Sequence, residues 1–221
     1  KFGAVISHKT SKFDIKLSAN KITSDGFSVQ APLDEDIEKY EDDSYSNLTI
    51  NLKANYNITD DEKISLNITD VDALKDYDSY GDPDDNSMKS DISNRIYNLS
   101  YTQTYNNHNF TLKAEKSEFS RDEIGTVAQW GSEYVKEFEG EHNNIELIDN
   151  IKYNQEDYVI IGLGSSSDEV NYILTDNSNK QKENKDNYIY LTNSNSIDKV
   201  ILTQSIIDND YYNFDFKAAR K

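Results

Sequence analysis

The sequence predicts an all-β fold, an antiparallel up-and-down meander of about ten or eleven strands, and two observations carry this prediction. The first is a strict alternation of apolar and polar residues, the pattern of a strand with one apolar and one wet face. The second is that short and long connections take turns along the chain. Composition alone indicates the opposite, because 35% hydrophobic residues and a mean hydropathy of −0.84 are typical of disordered chains.

The clearest strand covers residues 47–58, where every even-numbered residue is apolar or aromatic and every odd-numbered residue is polar. Shorter segments show the same alternation at residues 13–19, 64–68, 97–101 and 110–114. Later segments are rich in β-forming residues and bounded by polar clusters, at residues 145–153, 158–164, 188–192, 200–207 and 213–221. We expect each of these segments to be a strand.

The connections between these segments fall into two kinds. Short polar turns are expected at residues 9–12, 59–62, 106–109, 154–157 and 195–198. Long acidic or polar connections are expected at about residues 24–44, 73–94, 120–141 and 171–186. In an up-and-down meander, this alternation places all short turns at one end of the sheet and all long connections at the other.

Such asymmetry is typical of transmembrane β-barrels of the outer-membrane type, with short periplasmic turns and long extracellular loops. Strands of about ten residues also have the length that crosses a bilayer at a tilt. Several of the 16 tyrosines stand beside short turns, as in an interfacial girdle, although tyrosine is also a common strand residue. We therefore expect an antiparallel transmembrane β-barrel, with residues 1–221 as part of one barrel domain.

Charge and composition exclude several other classes of protein. The chain carries 41 acidic and 23 basic side chains, a formal net charge of −18, which argues against a nucleic-acid partner. Without cysteine it has no disulfide scaffold and no thiolate metal site. No stretch reaches the roughly 18 apolar residues of a transmembrane helix, so a membrane-spanning form has to use strands.

Two of the long connections are strongly acidic. Residues 33–43 read LDEDIEKYEDD, and residues 76–91 read DYDSYGDPDDNSMKSD. Clustered carboxylates and backbone carbonyls suit calcium, which takes about six to eight oxygen ligands. An EF-hand is excluded, because a register from Asp76 places Tyr80 at the fifth position and Ser87 at the twelfth. The alternative is a solvated acidic surface without a bound ion.

Catalytic residues do not converge in the sequence. His8 and His108 lie beside short turns, and His142 is expected at the start of a strand. The pattern therefore predicts no histidine–carboxylate grouping at the end with the long connections. No GxSxG or similar nucleophile motif is present. We expect the protein not to be an enzyme.

Two motifs at the acidic connections resemble a known family. The first is SDGFSVQAP at residues 24–32, followed by YEDDSYSNLTINLKANYNITDDEKISLNI at residues 40–68. The second is DYDSYGDPDDNSMKSD at residues 76–91. Together they are similar to the middle of the barrel of TonB-dependent outer-membrane receptors, most closely the cobalamin receptors.

In that family, acids of these two loops hold calcium ions that order the loops for cobalamin binding. Carried over by position, the resemblance implies a calcium site made of Glu41, Asp43, Tyr77, Asp78 and Asp91, and ligand contacts from Tyr77 and Tyr80. The match departs from the family at Glu41, where the family has Asp, and at Ser28, where the family has a further Asp.

The resemblance implies an active-transport receptor in the outer membrane of a Gram-negative bacterium. Its barrel would have about 22 strands, with an N-terminal plug and a TonB box that residues 1–221 do not include. The implied partners are the TonB complex, reached through the plug, a corrinoid or other chelate, and outer-membrane lipid and lipopolysaccharide. The alternatives are a siderophore or haem receptor of the same class, a non-transport surface barrel or adhesin, and a soluble secreted β-meander.

Overall fold

The structure is a computed structural model, and it describes residues 1–26, 42–77, 88–127, 132–154, 157–174, 179–194, 200–209 and 211–220. Its strands are β1 Phe2–Lys9, β2 Phe13–Ser24, β3 Tyr45–Asn57, β4 Glu62–Tyr77, β5 Met88–Tyr105, β6 His108–Val127, β7 Ser132–Lys152, β8 Tyr158–Leu174, β9 Asn179–Ser194, β10 Val200–Asn209 and β11 Tyr211–Arg220. These 11 strands form one antiparallel sheet whose spatial order is the order in the sequence. The predicted all-β meander is confirmed. Within the described residues, no helix is long and apolar enough to cross a bilayer.

The short connections lie together at one end of the sheet, which we name the turn end; the opposite end is the loop end. Four predicted turns are confirmed, and the one at residues 195–198 lies outside the described residues. Asn106, between β5 and β6, has a left-handed φ of 55°, which Asn tolerates better than most residues. In the turn before β8, the Asp157 N–H donates to Asn154 Oδ1 at 2.8 Å.

The loop end differs from the prediction, because three of the four long connections are largely strand. β4 continues to Tyr77 and β5 begins at Met88, while only residues 128–131 separate β6 from β7 and only residues 175–178 separate β8 from β9. Strands β4–β9 therefore have 16 to 21 residues rather than the expected ten or so. The loop-side halves contain few apolar residues, and these do not alternate strictly with polar ones, so the pattern that predicts a strand is weak although the backbone ladder continues.

The two faces of the sheet differ in chemistry and in exposure. On one face, which we name the apolar face, Leu99, Ile145 and Leu163 are 49%, 53% and 50% exposed. The other, polar face carries mainly Asn, Ser, Thr, Lys and Tyr, and its mid-strand residues are more enclosed, with Gly162 buried. Because a curved sheet encloses the side chains of its concave side, we infer that the polar face is concave.

Apolar side chains on the apolar face form a belt next to the turn end. We define this apolar belt by Ile64, Leu66, Ile68, Leu99, Leu112, Ile145, Leu147, Leu163, Ile189 and Leu191. Toward the loop end the same face becomes charged, beginning with Asp70 on β4 and Lys116 on β6. The sheet is thus divided along its strands into an apolar half and a charged half.

The described residues form no hydrophobic core between layers. Their only buried apolar residues are Ala73 and Met88. The chain exposes 15519 Å², whereas a compact monomer of this mass exposes about 10,400 Å². Within the described part of the chain, neither face of the sheet has a protein layer against it, so the large side chains of the apolar face stay exposed.

Candidate functional site

Gly26 of the SDGF motif lies against Asp43, two residues before the start of β3, at the loop end. Gly26 has a φ of 77°, and a Cβ at this position would lie 1.8 Å from the carbonyl oxygen of Asp43. Only glycine satisfies both the left-handed backbone and the close approach. The Gly26 N–H donates to Ser24 Oγ at 3.1 Å. The motif therefore holds the chain against Asp43, which is only 8% exposed.

Ser44 joins the end of the first acidic connection to the start of the second. Its hydroxyl donates to Asp76 Oδ2 at 2.5 Å, and the Asp76 N–H donates back to the Ser44 carbonyl at 3.0 Å. Lys89 Nζ lies 3.8 Å from Asp76 Oδ1. Asp43 directly precedes Ser44, so the two acidic connections leave the sheet at one place, as a shared site requires.

The other described residues of the expected calcium site lie on different faces of the β4–β5 hairpin. Tyr77 pairs with Met88, and Asp91 pairs with Leu74. Because successive side chains of a strand alternate between faces, Asp91 shares its face with Asp76 and not with Tyr77. Asp91 is exposed. The structure thus brings Asp76 toward the site, the first residue of the DYDSYG motif and not one of the expected calcium ligands.

Glu41, Asp78 and Tyr80 lie outside the described residues. Among the residues that are described, no group of three or more His, Cys, Asp or Glu side chains has the arrangement to hold a metal ion. The calcium set of Glu41, Asp43, Tyr77, Asp78 and Asp91 therefore stays a prediction, as do the ligand contacts of Tyr77 and Tyr80.

A polar network crosses the middle of the polar face. Lys113 Nζ lies 2.7 Å from Glu115 Oε2, and the Asn144 amide donates to the same oxygen at 3.4 Å. The Tyr188 hydroxyl donates to Asn144 Oδ1 at 2.8 Å. The network links β6, β7 and β9, and it gives the concave face groups that suit water or a polar protein surface rather than lipid.

Two histidine–aspartate pairs lie in the sheet, one near the turn end and one in the middle of the strands. His108 Nδ1 lies 2.7 Å from Asp149 Oδ2, and His142 Nδ1 lies 2.7 Å from Asp168 Oδ1. His142 stands in the middle of β7 and not at the start of a strand. These pairs arise from cross-strand register, which a single sequence does not reveal.

The second pair has a serine neighbour, since Ser117 is the register partner of His142 on β6. Within the described residues, however, no hydrogen bond joins Ser117 to His142, and the Asp168 and His142 side chains are 50% and 42% exposed. The surrounding strand N–H groups are used by the ladder, so none is oriented toward an oxyanion. We assign this row a structural role in cross-strand pairing.

On the apolar face, the charged half begins with ion pairs between neighbouring strands. Arg95 Nε donates to Asp70 Oδ1 at 3.3 Å. Lys116 Nζ lies 2.8 Å from Glu118 and 3.1 Å from Glu141. The Asn143 amide also donates to Glu141 Oε1 at 2.6 Å.

Comparisons with known proteins add nothing to the geometry of the site. No protein-family model matches the sequence, and no curated protein matches it.

Proposed function

We propose that this chain is part of the barrel of a TonB-dependent outer-membrane receptor that binds a scarce large ligand, a corrinoid, at its loop end. The ligand would enter through the long connections and pass inward using energy supplied through the TonB complex. The observation that carries the proposal is the single antiparallel up-and-down sheet, with one apolar face, one polar face and its short turns at one end.

A bilayer is the environment that the apolar face requires. The apolar belt faces away from the enclosed polar face, and the described residues offer no second layer to cover it. Lipid would cover the belt, and the polar face would turn toward a wet lumen or a plug. Because open strand edges are costly in lipid, the proposed receptor includes further strands, about 22 in all, and a plug that this sequence does not contain.

The ligand end is supported by the junction of the two acidic connections. Ser44 and Asp76 hold together the places where both connections meet the sheet, and Gly26 fixes Asp43 beside them. Acidic connections this close repel one another. Calcium held by Glu41, Asp43, Tyr77, Asp78 and Asp91 would offset that repulsion and order the connections before the ligand arrives.

The test is a cyanocobalamin titration of the complete gene product in detergent, with and without millimolar calcium. We expect tight binding in calcium and weaker binding after chelation. Asp43→Ala should weaken binding in calcium about tenfold or more, because it removes a carboxylate from the proposed site. The matched control is Asp60→Ala, an exposed acid at the turn end, which should bind like the wild type.

The outcomes separate the parts of the proposal. If Asp43→Ala binds as tightly as the wild type in saturating calcium, the calcium site is wrong. If no cyanocobalamin binds under either condition, the corrinoid is rejected, and ferric siderophores and haem become the ligands to titrate.

A further inference from the structure

A closely packed corner lies where the loop-side ends of β3, β4 and β5 meet. Its buried residues, each at most 8% exposed, are Asp43, Ala73, Met88 and Ser90. Most other described residues of the sheet are half-buried or exposed. Charges in such a corner interact through a lower effective dielectric constant than charges on an open surface, so their pairing matters more here.

One carboxylate of this corner is bonded through only one of its two oxygens. Asp76 Oδ2 accepts a hydrogen bond from the Ser44 hydroxyl at 2.5 Å, and the Asp76 N–H donates to the Ser44 carbonyl at 3.0 Å. Asp76 Oδ1 is buried too, but it accepts no hydrogen bond within the described residues. A buried carboxylate oxygen without a donor is costly unless a cation lies near it.

Lys89 supplies a cation at this oxygen. It is the register partner of Asp76 on β5, and opposite charges directly across a ladder stabilise the pair of strands. Lys89 Nζ lies 3.8 Å from Asp76 Oδ1, the distance of an ion pair rather than of a hydrogen bond. The Lys89 side chain is 57% exposed and that of Asp76 only 17%. The ammonium therefore stays hydrated while it faces a largely buried carboxylate.

We propose that Ser44, Asp76 and Lys89 form a clasp that holds the roots of the two acidic connections together without calcium. Lys89 is the built-in counter-ion of the clasp. Ser44 and Asp76 are positioning residues that keep the neighbouring Asp43 in place. The role of the clasp in ligand binding rests on the proposed function. The clasp lowers the entropy cost of ordering the loop end, so calcium has to order only the connections beyond the sheet.

The Asp76 amide reports directly on the clasp, because it donates to the Ser44 carbonyl. The experiment measures hydrogen exchange at this amide in the complete gene product in detergent, by mass spectrometry that resolves individual amides. We expect the wild-type exchange rates in excess chelator and in millimolar calcium to agree within about twofold. Ser44→Ala should speed exchange about tenfold, because a hydrogen bond to a charged group is lost. Ser44→Thr keeps the hydroxyl and should exchange like the wild type.

A double-mutant cycle tests the counter-ion. In chelator, Lys89→Met should speed exchange at residue 76 about threefold, as for a partly exposed ion pair, whereas Lys89→Arg keeps the cation and should not. In an Asp76→Asn background, Lys89→Met should have no further effect, because no carboxylate remains to be neutralised. The matched controls are Ser46→Ala, whose register partner is Leu74, and Lys63→Met, at an exposed lysine of the turn end. Both should exchange like the wild type.

Two results would overturn the proposal. One is a wild-type Asp76 amide that loses its protection in chelator, since the clasp would then depend on calcium. The other is equal exchange in Lys89→Met and the wild type in chelator, which would remove the counter-ion.

A cyanocobalamin titration of the same samples separates this proposal from the proposed function. If the exchange pattern is as expected but no sample binds cyanocobalamin, the clasp stands and the corrinoid receptor falls. If the wild type binds cyanocobalamin but its Asp76 amide is protected only in calcium, the receptor stands and the clasp falls.

Discussion

Two glycines of β8 show how single residues shape the polar face. Gly162 pairs with Tyr190 and Gly164 pairs with Tyr188 across β8 and β9. A Cβ at Gly162 would lie 2.1 Å from Tyr190 Cζ, so the ring occupies the space that the glycine leaves. The two tyrosine rings stack with centroids 6.4 Å apart and planes inclined by 18°. Tyrosine thus covers a position where glycine alone would weaken a strand.

Replacing these two glycines with alanine should lower the free energy of unfolding by different amounts. At Gly162 the three atoms nearest to the added Cβ belong to the far end of the Tyr190 ring, which can swing away, and we expect a loss of about 1 kcal/mol in the free energy of unfolding. At Gly164 the Cβ also meets the backbone oxygen of Ile145 at 2.8 Å, which cannot swing. We therefore expect Gly164→Ala to cost about 2 to 3 kcal/mol.

Urea unfolding of the complete gene product in detergent measures both costs, with Gly3→Ala as the control because its nearest neighbour is the Asn20 side chain at 3.5 Å. In a Tyr190→Ala background the cost of Gly162→Ala should vanish. In a Tyr188→Ala background the cost of Gly164→Ala should persist in part. Equal costs for the two glycines would contradict the assigned contacts.

At the scale of the elements, the β6–β7 hairpin is the longest pair in the sheet, with strands of 20 and 21 residues. Aromatic contacts tie its loop-side half to β8. Phe119 and Phe138 have ring centroids 5.6 Å apart, and Phe138 and Tyr172 have centroids 6.5 Å apart, both edge to face. Such contacts explain why strongly polar segments remain in register so far from the apolar belt.

Phe138→Ala should fray this half of the hairpin. Losing two aromatic contacts lowers the free energy of locally opening this half of the hairpin by about 1 to 3 kcal/mol. The amides of residues 121–125 and 135–138 should therefore exchange roughly 10- to 100-fold faster. Amides of residues 108–114, near the turn end, should be unchanged. Hydrogen exchange with mass spectrometry is the measurement.

Phe110→Ala is the control, since Phe110 stacks on His108 at the turn end with a centroid distance of 5.4 Å. Its effect should be confined to the turn end. Uniformly faster exchange along the hairpin in Phe138→Ala would contradict a local role for the aromatic contacts.

The same hairpin marks the limit of prediction from sequence. The turn-side halves and their turns were predictable, because apolar alternation and turn residues such as Asn106 act locally. The loop-side halves were not predictable, because their polar residues do not alternate strictly with apolar ones and are held in place by pairing with the neighbouring strands. The candidate site shows the same division. The sequence motif already pointed to Asp43, whereas Asp76 is identified only in the structure, through the hydrogen bond from Ser44, which is 32 positions away.

At the scale of the whole molecule, the proposed function leads to a prediction about bilayer thickness, because the apolar belt is the part of the sheet that lipid would cover. On β4 only Ile64, Leu66 and Ile68 face outward before Asp70. Three such rungs cover about 20 Å of strand. With a strand tilt of about 40°, the belt is about 15 Å high, less than the roughly 25 Å that is typical of outer-membrane barrels. Tyr97 and Tyr101, beside it on β5, suit the interfaces at its two margins.

A belt this short predicts a preference for thin bilayers, because a thicker one would bury the Asp70–Arg95 pair in hydrocarbon. We expect the complete gene product to refold efficiently into dilauroyl phosphatidylcholine vesicles and poorly into dierucoyl vesicles. Asp70→Leu together with Arg95→Leu extends the belt by one rung on β4 and β5 and should raise the yield in the thicker bilayer. The control pair Lys53→Leu and Asn67→Leu, register partners on the polar face, should not raise it. Equal refolding of the wild type in both lipids would mean that the belt does not set the depth of insertion, and the membrane orientation proposed for the sheet would have to be abandoned.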